Sequence, residues 1–447
     1  MKAIIRFNNK ILEVHLNKST IVDELYVMFT LETTPQYKRL KLDVHPKQDI
    51  LLQSIEIQLD THLDKARSGI YCNGFLSSSE SRLYNFDEIP DSLRAIAQPF
   101  LGKTGDYHIN FIPRKKGVLH SWSYGYIQND HSANIDFIGS LNENTGFTCL
   151  LYNADNQTVT IKKDVENLQL SHSYPAIDVV LLKGNTPSVF DTYFDLQNIK
   201  KPQNLPLTNG LNFHRKNKNN TEISVVEDLK LIEENKTAIE FYTINEGWTT
   251  HIGDWVSIKN TFPNGIAKMA QLIHNQGLKA NLCLSPFVVE AQSQIFKTKP
   301  DWILRSPNGK PLKAGFAPQT LGWSHPYLYA LDFYNKDVQE YLTGVFHTIL
   351  DKWGYNMVQL DLLYAVCILP RPNKTRGQIM HDALAFLRQI VGNKIIIAGD
   401  VPLASALGSI NYCRIGSDKY TEGENKILQF LKYRERDSTM SLLKFDK

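Results

Sequence analysis

The chain has 447 residues, 42% of them apolar and 21% charged, with 49 basic against 46 acidic side chains. That composition excludes a mostly disordered chain, leaves material for a large core, and makes two domains the starting expectation. A formal charge of +3 is too small to imply a nucleic-acid partner, and no window approaches 18 uninterrupted apolar residues, so no membrane partner is expected. Five cysteines (Cys72, Cys149, Cys283, Cys367, Cys413) are odd in number and lack C-x-x-C spacing. The opening stretch, MKAIIRFNNKILEVHL, has no secretory pattern, so a reduced, cytoplasmic protein is expected.

Residues 1–205 read as short β-runs: Lys2–Arg6, Ile11–Leu16, Leu25–Thr30, Tyr107–Ile112, Val118–Tyr126, Phe147–Tyr152, Thr158–Lys162 and Asp178–Leu182. Turn chemistry punctuates them, as in Asn153-Ala154-Asp155-Asn156, and the pattern predicts an N-terminal β-sandwich. Residues 206–225 turn polar and basic and read as a linker. From 226 to 447 apolar runs alternate with helices. Parallel strands are expected at Ala238–Ile244, Lys279–Ser285, Leu328–Phe333, Asn356–Leu363, Lys394–Gly399 and Tyr412–Ile415. Between the third and fourth, Val338, Leu342, Val345, Ile349 and Trp353 mark an amphipathic helix that Gly354 can close. The predicted fold is a β-sandwich followed by a (β/α)8 TIM-type barrel, incomplete at its C-terminus.

In such barrels the chemistry sits at the C-terminal ends of the strands. Asp361, in VQLDLLY, is a lone carboxylate in an apolar run, which is costly unless it is paired or working. Asp418 ends a later strand, four residues after Arg414. Asp332, Asp254 and Asp400 each have a turn or helix-capping reading beside the functional one. His274, His347 and His381 fall on helices, where a structural role is the simpler account. With no H-E-x-x-H, P-loop, G-x-G-x-x-G or G-x-S-x-G pattern, neither metal nor cofactor is expected. Two carboxylates facing one pocket fit glycoside hydrolysis. Trp248, Trp255, Trp323 and Tyr364 could wall a sugar or could be core.

These motifs resemble glycoside hydrolase family 36 α-galactosidases over about residues 238–420. The resemblance runs through INEGW at Ile244–Trp248, IGDW at Ile252–Trp255, PDW at Pro300–Trp302, YALD at Tyr329–Asp332, VPLASALG at Val401–Gly408 and RIGSD at Arg414–Asp418. It implies a retaining hydrolase of α-linked galactose or a related sugar, with Asp361 as nucleophile and Asp418 as acid/base. It also implies that an oligosaccharide or other α-glycoside is bound by Asn245, Glu246, Trp248, Asp254, Trp255, Cys283, Gln359 and Arg414. Several positions depart from the family pattern. Asn245-Glu246 replaces an Asp pair, Gln359 a Lys, Cys283 a Trp, and Gly399-Asp400 a Cys-Gly. Phe75-Leu76-Ser77-Ser78 replaces a Trp-rich segment, and the G-W-C-S-W that opens the barrel is missing near Gly210. The alternative is a catalytically degenerate carbohydrate-binding or assembly subunit. Only 29 residues follow Asp418. With Ser441–Phe445 as a candidate seventh strand, the barrel is expected to be short, closed by the N-terminal domain or by a second copy in a homo-oligomer.

Overall fold

A computed structural model of the chain describes residues 1–89, 105–129, 132–198, 210–211, 220–235, 239–316 and 327–415. In the N-terminal part, strict alternation decides which side chains face inward. Ala3, Ile5 and Phe7 of Lys2–Phe7 are buried while Arg6 is exposed, and Leu40, Leu42 and Val44 repeat the pattern in Lys38–Pro46. Two antiparallel sheets result. The first runs Lys10–His15, Lys2–Phe7, Ile50–Asp60, Thr158–Lys163, Thr148–Asn153 and Val118–Trp122, with Leu168–Leu170 also on Ile50–Asp60. The second runs Lys18–Ile21, Leu25–Thr33, Lys38–Pro46, Tyr174–Asn185, Asn134–Ser140, Tyr124–Asn129, Ser68–Cys72 and Arg82–Tyr84. Ile5, Ile57 and Ile161 from the first share one core with Val27, Leu42 and Val179 from the second.

Two expected strands are corrected here. Val118–Tyr126 breaks at Ser123, whose φ of 64° passes the chain from the first sheet to the second. Tyr107–Ile112 is a series of turns that wraps the buried Asp106, which accepts hydrogen bonds from His120, Trp122 and Arg114. The Asn153–Asn156 hairpin is present, with Asn153 Oδ1 accepting from the backbone N–H of Asp155 and Asn156.

The second half is built on six parallel strands in chain order: Gly210–Leu211, Phe241–Ile244, Lys279–Leu284, Met357–Leu360, Ile395–Ala398 and Tyr412–Cys413. The first lies inside the stretch read as a linker, and helix Glu222–Glu234 begins there too. The sheet therefore starts earlier than polar composition suggests. Conversely, Leu328–Phe333 is not a parallel strand. Tyr327–Ala330 pairs antiparallel with Val288–Glu290 and Lys313–Phe316, in a small sheet between the third and fourth parallel strands. An apolar run reports burial and leaves open which sheet receives it. The two changes offset each other, so Asp361 still follows the fourth strand. The amphipathic helix is present as Lys336–His347 with a further turn to Lys352, and Gly354 closes it at φ 79°. No helix among the described residues is long and apolar enough to cross a membrane.

The halves meet through buried groups. Arg376, which opens helix Arg376–Val391, is 2% exposed and donates from Nη1 to Asp164 at 2.9 and 3.1 Å and from Nε to Ile368 O. Its Nη2 pairs with Glu166. Removing one member of a buried pair strands the other charge, a loss of about 3–5 kcal/mol. Arg376→Leu is therefore expected to lower unfolding free energy by about that amount in denaturant titration, and Asp164→Leu added to it should recover part of the loss.

Candidate active site

Five consecutive parallel strands, the second to the sixth, end at one place and bring polar side chains there. Asp361 follows the fourth strand, its backbone N–H still bonded to Leu284 O of the third at 3.1 Å. Cys283 Sγ donates to Asp361 Oδ2 at 3.3 Å, and Gln359 Nε2 lies 3.2 Å from Oδ2 and 3.4 Å from Oδ1. Arg414, after the sixth strand, places Nη1 4.0 Å from Oδ2. Gly399 ends the fifth strand, and a Cβ there would stand 2.3 Å from Asp361 Oδ1. Only glycine lets the carboxylate occupy this position.

Two of the described non-glycine residues with positive φ lie at the same point. Leu362 has φ 55° and Asp400 has φ 52°, left-handed conformations that cost about 1–2 kcal/mol for ordinary side chains. They are tied together, because Tyr364 N–H donates to Asp400 O at 3.0 Å. The sandwich reaches in from the side. Ser78 Oγ donates to Asp400, and Ser77 N–H donates to Val401 O at 2.8 Å.

Glu246, after the second strand, completes the group and accepts from Ser285 Oγ. Burial pushes its carboxyl up to about 7, and the Asp361 charge pushes the same way. Burial likewise raises Asp400, with Asp361 adding to it. The Cys283 thiol is raised well above its usual range by burial and by Asp361 and Glu246, so it remains a neutral donor.

Other expected site residues lie elsewhere. Trp248 is fully buried, donates from Nε1 to Cys283 O at 2.9 Å, and packs on Trp255 and Trp353. Trp255 is 1% exposed. Both have their aromatic faces covered by protein, and they act here as the floor beneath the strand ends. Asp254 accepts from Gln294 N at 2.8 Å and Ile295 N at 3.3 Å, anchoring helix Gln294–Thr298. Tyr364 is buried, with its hydroxyl on Ala314 O. Asp332 accepts from Tyr334 N and pairs with Arg371, which is the turn reading. Asn245 O accepts from Asn220 Nδ2. Asp418, Trp323 and Ser441–Phe445 lie outside the described residues. Arg414, four residues before Asp418 in the sequence, stands beside Asp361. Asp400 carries both of its readings, its backbone making the turn and its side chain joining this group, whereas Gly399 and Ser285 have no role legible in the sequence. The replacement of Cys-Gly by Gly399-Asp400 was the available signal.

Residues 219–392 match the family model described as Melibiase. Alpha-galactosidase Mel36A of Lactobacillus acidophilus is 27% identical over 200 residues, covering 42% of this chain and 25% of that protein. Alpha-galactosidase 1 of Pediococcus pentosaceus is 28% identical over 173 residues, covering 36% and 22%. The chain thus spans about a quarter of the length of these curated relatives. The structure of TtGalA, an alpha-galactosidase from Thermus thermophilus in complex with stachyose, matches with a TM-score of 0.67 at 22% identity. That match covers 95% of this chain and 82% of the other, and it shows a shared fold.

Two outcomes are expected from the geometry. Gly399→Ala must displace the Asp361 carboxylate by about 1 Å, so any turnover at this site should fall about 100-fold, with a stability loss of about 1–3 kcal/mol. Glu246 holds its proton more tightly folded than unfolded, so its contribution to stability declines as pH rises from 4.5 to about 7. Glu246→Gln removes that decline. Relative to wild type, the variant should gain on the order of 2 kcal/mol across the window, measured by denaturation at a series of pH values.

Proposed function

Because residues 219–392 form a melibiase-family segment in a chain similar to α-galactosidases, we propose that the protein is a retaining α-glycosidase acting on α-galactosides or closely related sugars. The single observation that supports this most is the setting of Asp361. It is a carboxylate at the end of an apolar strand, held by a thiol, an amide and a guanidinium, with a glycine opposite it in place of any side chain. The six ordered parallel strands and their helices are read as part of a (β/α)8-type barrel, with the sandwich of residues 1–205 beside it.

In the first step an Asp361 oxygen bonds to the anomeric carbon as the glycosidic C–O bond breaks. Asp418 gives its proton to the departing oxygen. In the second step a water oxygen attacks the same carbon, Asp418 takes the water's proton, and the ester to Asp361 breaks. Two inversions leave the configuration retained, which requires carboxyls about 5–5.5 Å apart. Gln359 and Cys283 fix the orientation of Asp361 by donating to it, and Arg414 Nη1 stands 4.0 Å from the same carboxylate oxygen.

Release of p-nitrophenol from its α-galactoside tests this directly. Wild type is expected to turn over, and Asp361→Asn should lose at least about 1,000-fold in kcat/KM, some 4 kcal/mol of transition-state stabilisation. Absence of wild-type turnover on a panel of aryl α-glycosides would overturn the hydrolase reading and favour the binding-subunit alternative.

A further inference from the structure

The N-terminal half sends one loop to the strand ends. Strands Ser68–Cys72 and Arg82–Tyr84 pair antiparallel, and residues 73–81 join them. Hydrogen bonds close the base of this loop. Asn73 N–H donates to Ser121 Oγ at 2.7 Å, Asn73 Nδ2 to Trp122 O at 2.8 Å, and Gly74 N–H to Ser81 Oγ at 3.0 Å. Gly74 is packed so closely that a Cβ there would stand 2.4 Å from Ser79 Cβ. Phe75 is buried, its ring centre 4.8 Å from that of Trp122 and 5.3 Å from that of Phe147. The tip is a tight turn, with Ser79 N–H donating to Leu76 O at 2.9 Å. Packing and hydrogen bonds therefore fix where Ser77 and Ser78 stand.

These two serines grip the residues that follow the fifth parallel strand. Ser77 N–H donates to Val401 O at 2.8 Å, and Val401 N–H donates to Ser77 Oγ at 3.4 Å. Ser78 Oγ donates to Asp400 Oδ1. Asp400 holds the left-handed φ of 52°, and its carbonyl accepts from Tyr364 N–H at 3.0 Å, in the turn that follows Asp361. Its other neighbour is Gly399, where a Cβ would stand 2.3 Å from Asp361 Oδ1. Asp400 thus joins the backbone opposite the Asp361 carboxylate to the turn beyond it, and Ser78 holds Asp400 by its side chain. Both residues stand where this chain departs from the family pattern, Ser78 in Phe75–Ser78 and Asp400 in Gly399-Asp400.

Resting on the reading of Asp361 as the nucleophile, we infer that Ser78 is a positioning residue of this site. Through Asp400 it holds Gly399 on one side of the Asp361 carboxylate and the Leu362–Tyr364 turn on the other. Without the Ser78 hydroxyl, Asp400 loses the side-chain bond that accompanies its left-handed backbone, and both neighbours of Asp361 gain freedom. The effect falls on the alignment of attack and leaves sugar affinity in place. A misplacement of about 1 Å costs on the order of 100-fold, so loosening short of that is expected to cost about tenfold.

Two measurements on the full chain compare wild type with Ser78→Ala and with Ser78→Thr, which keeps the hydroxyl. The first is hydrogen exchange of the Tyr364 amide, read by mass spectrometry with fragmentation to single residues. Ser78→Ala should speed it about tenfold, and Ser78→Thr should stay within about threefold of wild type. The second is p-nitrophenol release from its α-galactoside, well below the unfolding temperature. There Ser78→Ala should lose about tenfold in kcat with KM within about threefold, and Ser78→Thr should recover most of the loss. A bond that only stabilises the fold would shift the unfolding midpoint and leave kcat unmoved. Unchanged Tyr364 exchange in Ser78→Ala, a loss confined to KM, or a threonine variant no better than alanine overturns the inference. Exchange decides it even where wild type has no turnover, an outcome that defeats only the hydrolase reading. Wild-type turnover with kcat unmoved by Ser78→Ala defeats only this inference.

Discussion

The organising constraint of this molecule is a carboxylate held among donors at the end of a closely packed sheet. Asp361 extends from a strand whose four residues are all buried, and its surroundings compensate it with donors from two other strands and with Gln359 of its own. A unit charge pair at 4 Å is worth about 4 kcal/mol before desolvation at an effective dielectric of 20, and most of that is offset by removing the ions from water. The net favour is small, which is why the remaining features matter. Gly399 leaves room for the carboxylate, and the left-handed Leu362 and Asp400 bend two chain ends around it. Ser78, from the N-terminal half, then holds Asp400 from outside the parallel sheet. Strain of this kind persists only where surrounding contacts over-determine it.

The two halves of the chain therefore act as one device at the site. Ser77 and Ser78 come from the sandwich, and the Arg376–Asp164 pair ties the helix after the fourth strand to the same layer. Burial of that pair adds little net stability.

The sequence made some of this legible and hid the rest for physical reasons. Asp361 stands out in the sequence because an isolated acid inside an apolar run has few structural explanations, and the structure surrounds it with donors. The sandwich was readable because its alternation has period two. The first parallel strand was hidden because it is two residues long inside a polar stretch, and periodicity needs more than two residues. Leu328–Phe333 misled because apolarity reports burial without naming the partner strand. Trp248, Trp255 and Asp254 resemble site residues in sequence, yet they are a buried floor and a helix anchor. A motif records which residues occur together, and it leaves open which face of the loop they occupy. Asp400 went the other way: its backbone makes the turn, and its side chain joins the site.

The most direct test of the account is covalent trapping at Asp361. A fluorinated α-galactosyl fluoride that forms the glycosyl ester faster than water releases it should leave a mass increment on the peptide bearing Asp361. The increment should be lost in Asp361→Asn and on prolonged incubation in water. Labelling of a different carboxylate, or none under conditions where the fluoride is consumed, would contradict the assignment of Asp361 as the nucleophile.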